Sequence, residues 1–367
     1  MRKIGKTLIL VPDLSLPGGV ANYYNTLNLQ AHGNINYFPI NTAKHQSAFA
    51  TILRLIINYF IFFYIVIRDR YELIHINPTL DWKSFYRDSV FILIARILNR
   101  KTLVFFRGWL DTYEKKIKKS KLKTFLFNLS YAKVSKYIVL SNLFKKKLIE
   151  LGVPCETEFF IETTVADSSY LKELNLSNKY ISFKKEIIFL FLSKIEKTKG
   201  IYIAIDAYHK FLTKCPERIS CLTIAGDGPE LPAVKKYVGQ LNIPNIIFLG
   251  YISAEKKKSV LLESHIMIFP SYTEGMPNSI LECMLYGMPI ISRATGGITD
   301  IIQQNVNGYL SESFQPSVYS DFLYILASNN ELYRKIAEQN HFIAMEKYTT
   351  EKVRERILKI YRDWKLS

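Results

Sequence analysis

Two glutamates, Glu274 and Glu282, lie eight positions apart in the stretch FPSYTEGMPNSILECMLYGMPIISRATGG, residues 269–297. An apolar strand-like run leads into a loop holding Glu274, Gly275 and Met276. An amphipathic helix is expected over 277–286, with Asn278, Ser279 and Glu282 in it and Gly287 as its stop. Pro277 suits the first helical position, where its missing N–H would have no partner anyway. The amides that open a helix directly after a buried parallel strand form an anion site, and Gly275 lets a ligand approach the backbone closely. Were the separation helical throughout, the two carboxylates would stand about 12 Å apart, the span of a nucleotide sugar from hexose to ribose. Glu274 would then accept hydroxyls of the hexose and Glu282 those of the ribose, with the diphosphate over the helix N-terminus. The plain alternative makes Glu274 a solvated loop acid and Glu282 a first-turn acid favoured by the helix dipole.

Four further loops carry candidate groups. In SKIEKTKG, residues 193–200, Lys194 and Lys199 stand in a strand-to-helix loop, and Gly200 opens the helix. Two cations there offset the charge that grows on a diphosphate as a sugar bond breaks; read alone, they are solvated lysines in a lysine-rich chain. Gly18 and Gly19, in PGGV, follow the first strand-like run and precede a helix. Such a pair can present amides to phosphate or sugar, and is also an ordinary turn. TIAGDGPE, at 223–230, carries Gly226 and Asp227 between a strand and a helix, and Arg107-Gly108-Trp109 follows the apolar run 103–106.

The elements that must position these loops alternate along the chain. Residues 7–11, 73–76, 103–106 and 137–140 read as strands, with helices over 48–68, 83–99, 115–132 and 142–151. In the second half, strand-like runs at 187–192, 222–225, 246–249, 266–269 and 289–292 are again separated by helical stretches. Such alternation gives βαβ units and parallel sheets covered on both faces. An α/β fold of two doubly wound domains is expected, with functional loops after the strands and the ligand in the cleft between the domains. The segment 165–185 loses the periodicity and gains Ser, Asn and Lys, as a linker does. This sets domains at 1–168 and 169–347, followed by a charged amphipathic helix within 348–367.

Composition narrows the function. The chain has 367 residues, 49% hydrophobic, with 24 Tyr and 23 Phe, far too apolar for disorder. Its net charge is +17, and residues 1–180 hold 26 basic against 13 acidic side chains, so most of the surplus lies in the first half. Cys155, Cys215, Cys221 and Cys283 form no CxxC pair and have no nearby His. That argues against zinc and a disulfide framework, and for a reduced, cytoplasmic compartment. At the N-terminus the apolar run 8–11 ends at Pro12 and Asp13, too short for a signal core, and reads as a buried strand. The longest apolar run, 55–67, has 13 residues between Arg54 and Arg68, short of the roughly 20 that a spanning helix needs. It reads as a buried or interfacial helix.

Together, EGMPNSILECMLYGMPII with the following TGGITDII, SKIEKTKG, TIAGDGPE and PGGV resemble the retaining GT-B glycosyltransferases of family 4, the glycosyl transferases group 1. The likeness is dense in the C-terminal half; the N-terminal half carries it by the order of elements and a few loops. It implies two Rossmann-like domains facing a central cleft, the first for the acceptor and the second for the nucleotide sugar, with the last helix packing back on the first. It implies that Glu274 holds the donor sugar, Glu282 the ribose, and Lys194 and Lys199 the diphosphate. Gly275, Met276, Pro277, Asn278, Ser279, Gly226 and Asp227 would line the donor, and Gly18 and Gly19 would offer amides to phosphate or acceptor. The donor would be a UDP- or GDP-sugar, transferred with retention, without cofactor or essential metal. Where the family often has His-Gly this chain has Arg107-Gly108. Arginine is no base near neutral pH, so Arg107 is expected against a phosphate or acidic sugar, or in an ion pair with Asp111 or Asp13. His75 either replaces the missing histidine or is a satisfied buried residue.

The expected acceptor is a saccharide, free or linked to polyprenyl diphosphate, in bacterial cell-surface polysaccharide assembly: capsule, lipopolysaccharide O-antigen or exopolysaccharide. KKIKKSKLK at 115–123, beside Phe125, Leu126, Phe127 and Leu129, and FKKKL at 144–148 are basic segments next to apolar ones. Such segments attract anionic membrane at about 1 kcal/mol per cation, so a peripheral position at the inner face of the cell membrane is expected; the alternative is a solvated helix face. Two rival functions remain. A nucleic-acid binder would interleave aromatics with basic residues in a known module, and no zinc finger or RNA-binding signature is found. A non-hydrolysing nucleotide-sugar epimerase of the same architecture would need carboxylates and a histidine in N-terminal loops, where Asp13, Asp81 and His75 are the few candidates.

Overall fold

The structure, a computed structural model, describes residues 4–16, 18–40, 48–168 and 171–364. Pro17 of the PGGV loop and residues 169–170 of the expected linker lie outside them. The chain forms two compact units, one running to Thr163 and resuming at Thr350, the other Thr164–Thr349.

In the first unit the order is β1 (Thr7–Val11), α1 (Gly19–Leu27), β2 (Ile35–Pro39), α2 (Ala48–Arg68), β3 (Leu73–Ile76), β4 (Thr79–Leu80), α3 (Trp82–Ile97), β5 (Lys101–Phe106), β6 (Gly108–Trp109), α4 (Asp111–Lys119), α5 (Lys121–Leu129), β7 (Lys136–Val139), α6 (Asn142–Glu150) and β8 (Glu158–Ile161). Six strands make one parallel sheet in the order β2-β1-β3-β5-β7-β8. The inner strands are buried end to end or nearly so, as a sheet covered on both faces requires. The edge strands β2 and β8 are half exposed and mix polar with apolar residues, so they carry no continuous apolar run to announce them. The helix expected over 115–132 is two helices. Ser120 leaves helical geometry and its Oγ accepts from Lys123 N, which ends α4 and starts α5.

In the second unit the order is α7 (Leu176–Lys185), β9 (Ile187–Leu192), α8 (Ile201–Lys214), β10 (Ser220–Ala225), α9 (Leu231–Gln240), β11 (Ile246–Gly250), α10 (Ala254–Glu263), β12 (Ile266–Phe269), α11 (Asn278–Leu285), β13 (Ile290–Arg293), α12 (Ile298–Ile301), β14 (Gly308–Ser311), α13 (Pro316–Ser328) and α14 (Asn330–Lys347). Its parallel sheet runs β11-β10-β9-β12-β13-β14. The last helix, α15 (Thr350–Asp363), belongs to the first unit. There Arg356 Nε reaches Glu162 Oε2 at 2.8 Å, Arg354 Nε donates to Leu27 O at 2.8 Å, and Tyr361 Oη lies 2.6 Å from His75 Nδ1.

Two sequence readings need correction. Much of the expected linker, 176–185, is the helix α7: Asn175 caps it, its Ser, Asn and Lys residues are mostly its outer face, and Phe183 is buried. The apolar run 55–67 lies within a 21-residue helix, α2. That helix is long and apolar enough to cross a membrane, and only 11% of its most apolar window is buried, so the buried reading fails.

α7 also buries a lysine. Lys179 Nζ donates to Leu261 O and Tyr286 O, both at 2.8 Å, at the carboxyl ends of α10 and α11, where carbonyls lack intrahelical partners. Burial holds its ammonium down to about 7 from an ordinary 10.5. Between those values the unfolded chain binds a proton that the folded chain lacks, so this group's contribution to stability rises with pH across the window. Lys179→Met is expected to cost about 2 kcal/mol at pH 7 by orphaning two buried carbonyls. Denaturant melts of wild type and variant from pH 7 to 10 should show the gap widening with pH; a constant gap would refute the lowered pKa.

Candidate active site

In the second unit the loops after β9, β12 and β13 meet at the carboxyl ends of three adjacent strands. Their contact is backbone to backbone: Tyr272 N donates to Thr198 O at 2.8 Å, and Gly297 N to Gly275 O at 2.7 Å. A Cβ on Gly200 would lie 2.1 Å from Pro270 O, and one on Gly296 would lie 1.7 Å from Glu274 O, so neither position admits a side chain. This interlock places Glu274. Its Oε1 accepts from Lys199 Nζ and from Ser271 Oγ, each at 2.7 Å, and its side chain is 8% exposed. Glu274 is therefore a held carboxylate, not a solvated loop acid. Lys194 is mostly exposed and pairs with Glu196.

α11 begins at Asn278, with Ser279 next; Pro277 precedes the helix in extended geometry, φ −74° and ψ 121°, one position earlier than expected. The helix stops at Gly287, whose φ is 66°. Residues 274–277 are loop, so the premise of a wholly helical spacing does not hold. Nor is Glu282 a first-turn acid: it lies in the second turn, buried, with Oε1 accepting from Lys257 Nζ at 2.7 Å. Burial pushes its carboxyl above the ordinary range and the Lys257 ammonium opposes that. Met276 is buried beside Gly275.

Gly226 and Asp227 prop the lysine loop from below. A Cβ on Gly226 would lie 1.8 Å from Ser193 O, Ile195 N donates to Asp227 O at 2.9 Å, and Asp227 Oδ1 accepts from Gly228 N at 2.7 Å. Sequence reasoning missed Ser271 and Lys257, the partners that hold the two glutamates. A serine beside a strand end and a lysine in a run of three carry no mark that separates them from surface residues.

The first unit holds its own group of candidates. Gly18 and Gly19 open α1, and a Cβ on either would meet nothing within 4 Å, so the unit's own packing does not require glycine there. Arg107 follows β5, its guanidinium carbon 3.9 Å from the Tyr23 ring centroid and 4.3 Å from that of Phe105. Its Nη1 is buried without a hydrogen-bond partner among the described residues. The ion-pair alternative does not form: Asp111 pairs with Lys147, and Asp13 accepts from Ser15 Oγ at 2.7 Å. His75 is 1% exposed, and burial, then the Arg107 charge, hold it down to about 3, so it is a neutral core residue. Asp81 caps α3, accepting from Lys83 and Ser84 amides. Among the described residues no three His, Cys, Asp or Glu side chains come together as a metal site needs.

Residues 173–341, most of the second unit, match the family model described as glycosyl transferases group 1. The match spans just under half of the chain. The N-acetyl-alpha-D-glucosaminyl L-malate synthase of Bacillus anthracis is 29% identical over 189 residues, 51% of this chain and 48% of that protein. The poly(ribitol-phosphate) alpha-N-acetylglucosaminyltransferase of Staphylococcus aureus is 25% identical over 206 residues, 56% of this chain and 40% of that protein. The chain thus spans about half the length of the curated relatives it matches. HepE of Anabaena, solved with UDP, superimposes with a TM-score of 0.72 at 17% identity, covering 97% of this chain and 99% of that one. The fold is that of the GT-B glycosyltransferases, two doubly wound α/β units.

The glycines separate packing from ligand approach. Gly226→Ala forces a methyl onto Ser193 O at a φ of 145° and is expected to cost at least about 2 kcal/mol, read as a fall in melting temperature. Gly18→Ala and Gly19→Ala, facing open space, should melt within a degree or two of wild type. Equal losses at all three positions would contradict this division.

Proposed function

We propose that the protein transfers a sugar from a UDP- or GDP-sugar to a saccharide, free or linked to polyprenyl diphosphate, in assembly of a bacterial cell-surface polysaccharide. The observation that carries the reading is the Lys199–Glu274–Ser271 cluster, fixed by interlocked loops at the carboxyl ends of adjacent strands within the segment that matches the group 1 model. The names of two relatives support the substrate class, one with a poly(ribitol-phosphate) acceptor and both with an alpha linkage, which retention leaves when the donor is alpha-linked. HepE was solved with UDP.

Glu274 has Oε1 taken by Lys199 and Ser271, which leaves Oε2 to accept a hydroxyl of the donor sugar. Lys199 and Lys194, with the opening amides of α11 at Asn278 and Ser279, meet the diphosphate and stabilise it as it leaves. Glu282 accepts from the ribose. In a front-face transfer the bond from the anomeric carbon to the phosphate oxygen breaks with its electron pair on the phosphate. The acceptor oxygen bonds to the same face of that carbon, and its proton passes to the departing phosphate oxygen. The charge role that a divalent cation would fill falls to the lysines and helix amides, so the reaction is read as needing neither metal nor cofactor. Gly18 and Gly19 bring amides to the phosphate or acceptor. Arg107, stacked on two rings and with Nη1 unpartnered, takes an anionic group of donor or acceptor. The enzyme works in the cytoplasm as a peripheral protein at the inner face of the cell membrane.

Incubation with UDP-, GDP- and TDP-sugars plus acceptor should release nucleotide and glycosylate the acceptor. Interconversion of the sugar without transfer would indicate an epimerase instead. Glu274→Ala should lower kcat/KM by about 10²–10³-fold; wild-type activity in that variant would remove Glu274 from the site. Arg107→Lys keeps the charge and loses the stacked fork, and is expected to raise KM at least tenfold for the substrate bearing the anionic group. Unchanged KM for every donor and acceptor would refute the anion contact.

A further inference from the structure

We infer that α2 is a membrane-seated helix, lying in the plane of an anionic lipid leaflet with its outer face among the acyl chains while its inner face stays on the protein. The inference rests on the peripheral location proposed above and deepens it, but a different observation carries it.

α2 has two unlike faces. Phe49, Ile52, Ile56, Phe60, Phe63 and Ile67 recur every three or four residues, so they share one side of the helix, and all are exposed, Phe49 at 77% and Phe60 at 71%. Leu53, Ile57, Ile61 and Tyr64 flank that stripe and are exposed as well. The opposite side holds Phe62 and Val66, both fully buried. Phe62 packs on Phe38 of β2 and Phe91 of α3, at centroid distances of 5.8 and 5.0 Å. Tyr59 Oη donates to Arg87 O at 3.1 Å, and Asn58 Nδ2 to Ile40 O at 3.4 Å. Ten large apolar side chains on one helix exceed the patch that a protein normally shows to water.

Length and hydropathy alone also fit a spanning helix, but the inner face decides against it. Crossing a bilayer would strip Phe62 and Val66 from the core and expose Phe38 and Phe91. A helix bound along one side and bare along the other can submerge the bare side about 5–10 Å, to the boundary of headgroups and acyl chains.

Charge selects the leaflet. Residues 48–68 contain no Asp or Glu; Arg54 lies within the helix and Arg70 just past its end, while Arg68 is paired with Asp69 at 2.8 Å. α2 packs beside α3, and α3 beside α5. On α5, Leu122, Phe125 and Leu129 form a second exposed stripe flanked by Lys121 and Lys123, while Phe127 is buried. Right-handed crossovers from β2 to β3, β3 to β5 and β5 to β7 put these helices on one side of the sheet. The lysine clusters themselves are partly spent within the protein: Lys118 pairs with Glu114 and Glu150, and Lys147 with Asp111 and Glu114. The apolar stripe of α2 therefore supplies the anchor, and the cations around it supply the preference for negative lipid.

The full chain should cosediment with sucrose-loaded vesicles of phosphatidylcholine containing phosphatidylglycerol, and at least tenfold less with phosphatidylcholine alone. Ile56→Glu/Phe60→Glu, on the bare face, should lower binding at least tenfold with the melting temperature unchanged. Lys115→Gln/Lys116→Gln should lower it threefold at most. In Phe49→Trp, Ile57→Trp and Ile67→Trp variants, lipids brominated near the headgroup end of the chain should quench all three tryptophans alike. Three results would overturn the inference: binding that survives the glutamate pair, deep quenching confined to position 57, or a wild-type dimer that the glutamate pair dissociates, since a second copy would then cover the face. Loss of binding only in the lysine variant would retain a peripheral protein without an α2 anchor. None of these readouts requires transferase activity, so they stand or fall apart from the assignment of the reaction.

Discussion

Backbone touching backbone at glycine is the constraint from which the C-terminal site follows. Gly200 against Pro270, Gly226 against Ser193 and Gly296 against Glu274 are approaches too close for any Cβ, and each joins loops that leave different strands. Because the loops cannot slide past one another, Lys199 and Ser271 arrive at the same oxygen of Glu274 without a long flexible reach. A carboxylate held this way loses little rotamer freedom when it takes a further partner.

The two glutamates reach similar burial by different means. Glu274 is fixed by an ammonium and a hydroxyl from neighbouring loops, whereas Glu282 is buried in the second turn of a helix and balanced by Lys257 from α10. In the first unit Arg107 inverts the pattern: its charge rests against ring faces rather than a carboxylate, and Asp111, four residues on, pairs with Lys147 instead. Stacking of this kind leaves edge N–H groups available in a way that an ion pair would not.

The alternation of apolar runs with amphipathic ones carried most of the architecture, since inner strands such as β5 and β9 are buried on both faces and read as unbroken apolar segments. It failed at β2, β8 and β14, where one edge is unpaired and polar residues enter the pattern, and at α7, whose capping Asn and outward Lys and Ser imitate a linker. Glu274, Lys199, Gly200 and Gly226 could be picked out as candidates because a charge or a missing Cβ in a loop after a strand is chemically conspicuous. Ser271 and Lys257 could not, because what sets them apart is a contact with residues distant in sequence. The exposure of α2 was hidden for a related reason: an all-apolar helix looks the same in sequence whether it fills a core or lies outside one.

The crossing of α15 into the first unit bears on how the chain is made. Residues 164–349 form a contiguous unit and can close their sheet and helices as they emerge from the ribosome. The first unit cannot, although its residues appear earlier. Val353, Ile357 and Tyr361 are buried within it, and Tyr361 Oη lies 2.6 Å from His75 Nδ1. Until that helix has been synthesised, the surface around His75 and Tyr24 stays open. The half that begins synthesis first is thus the half that finishes folding last.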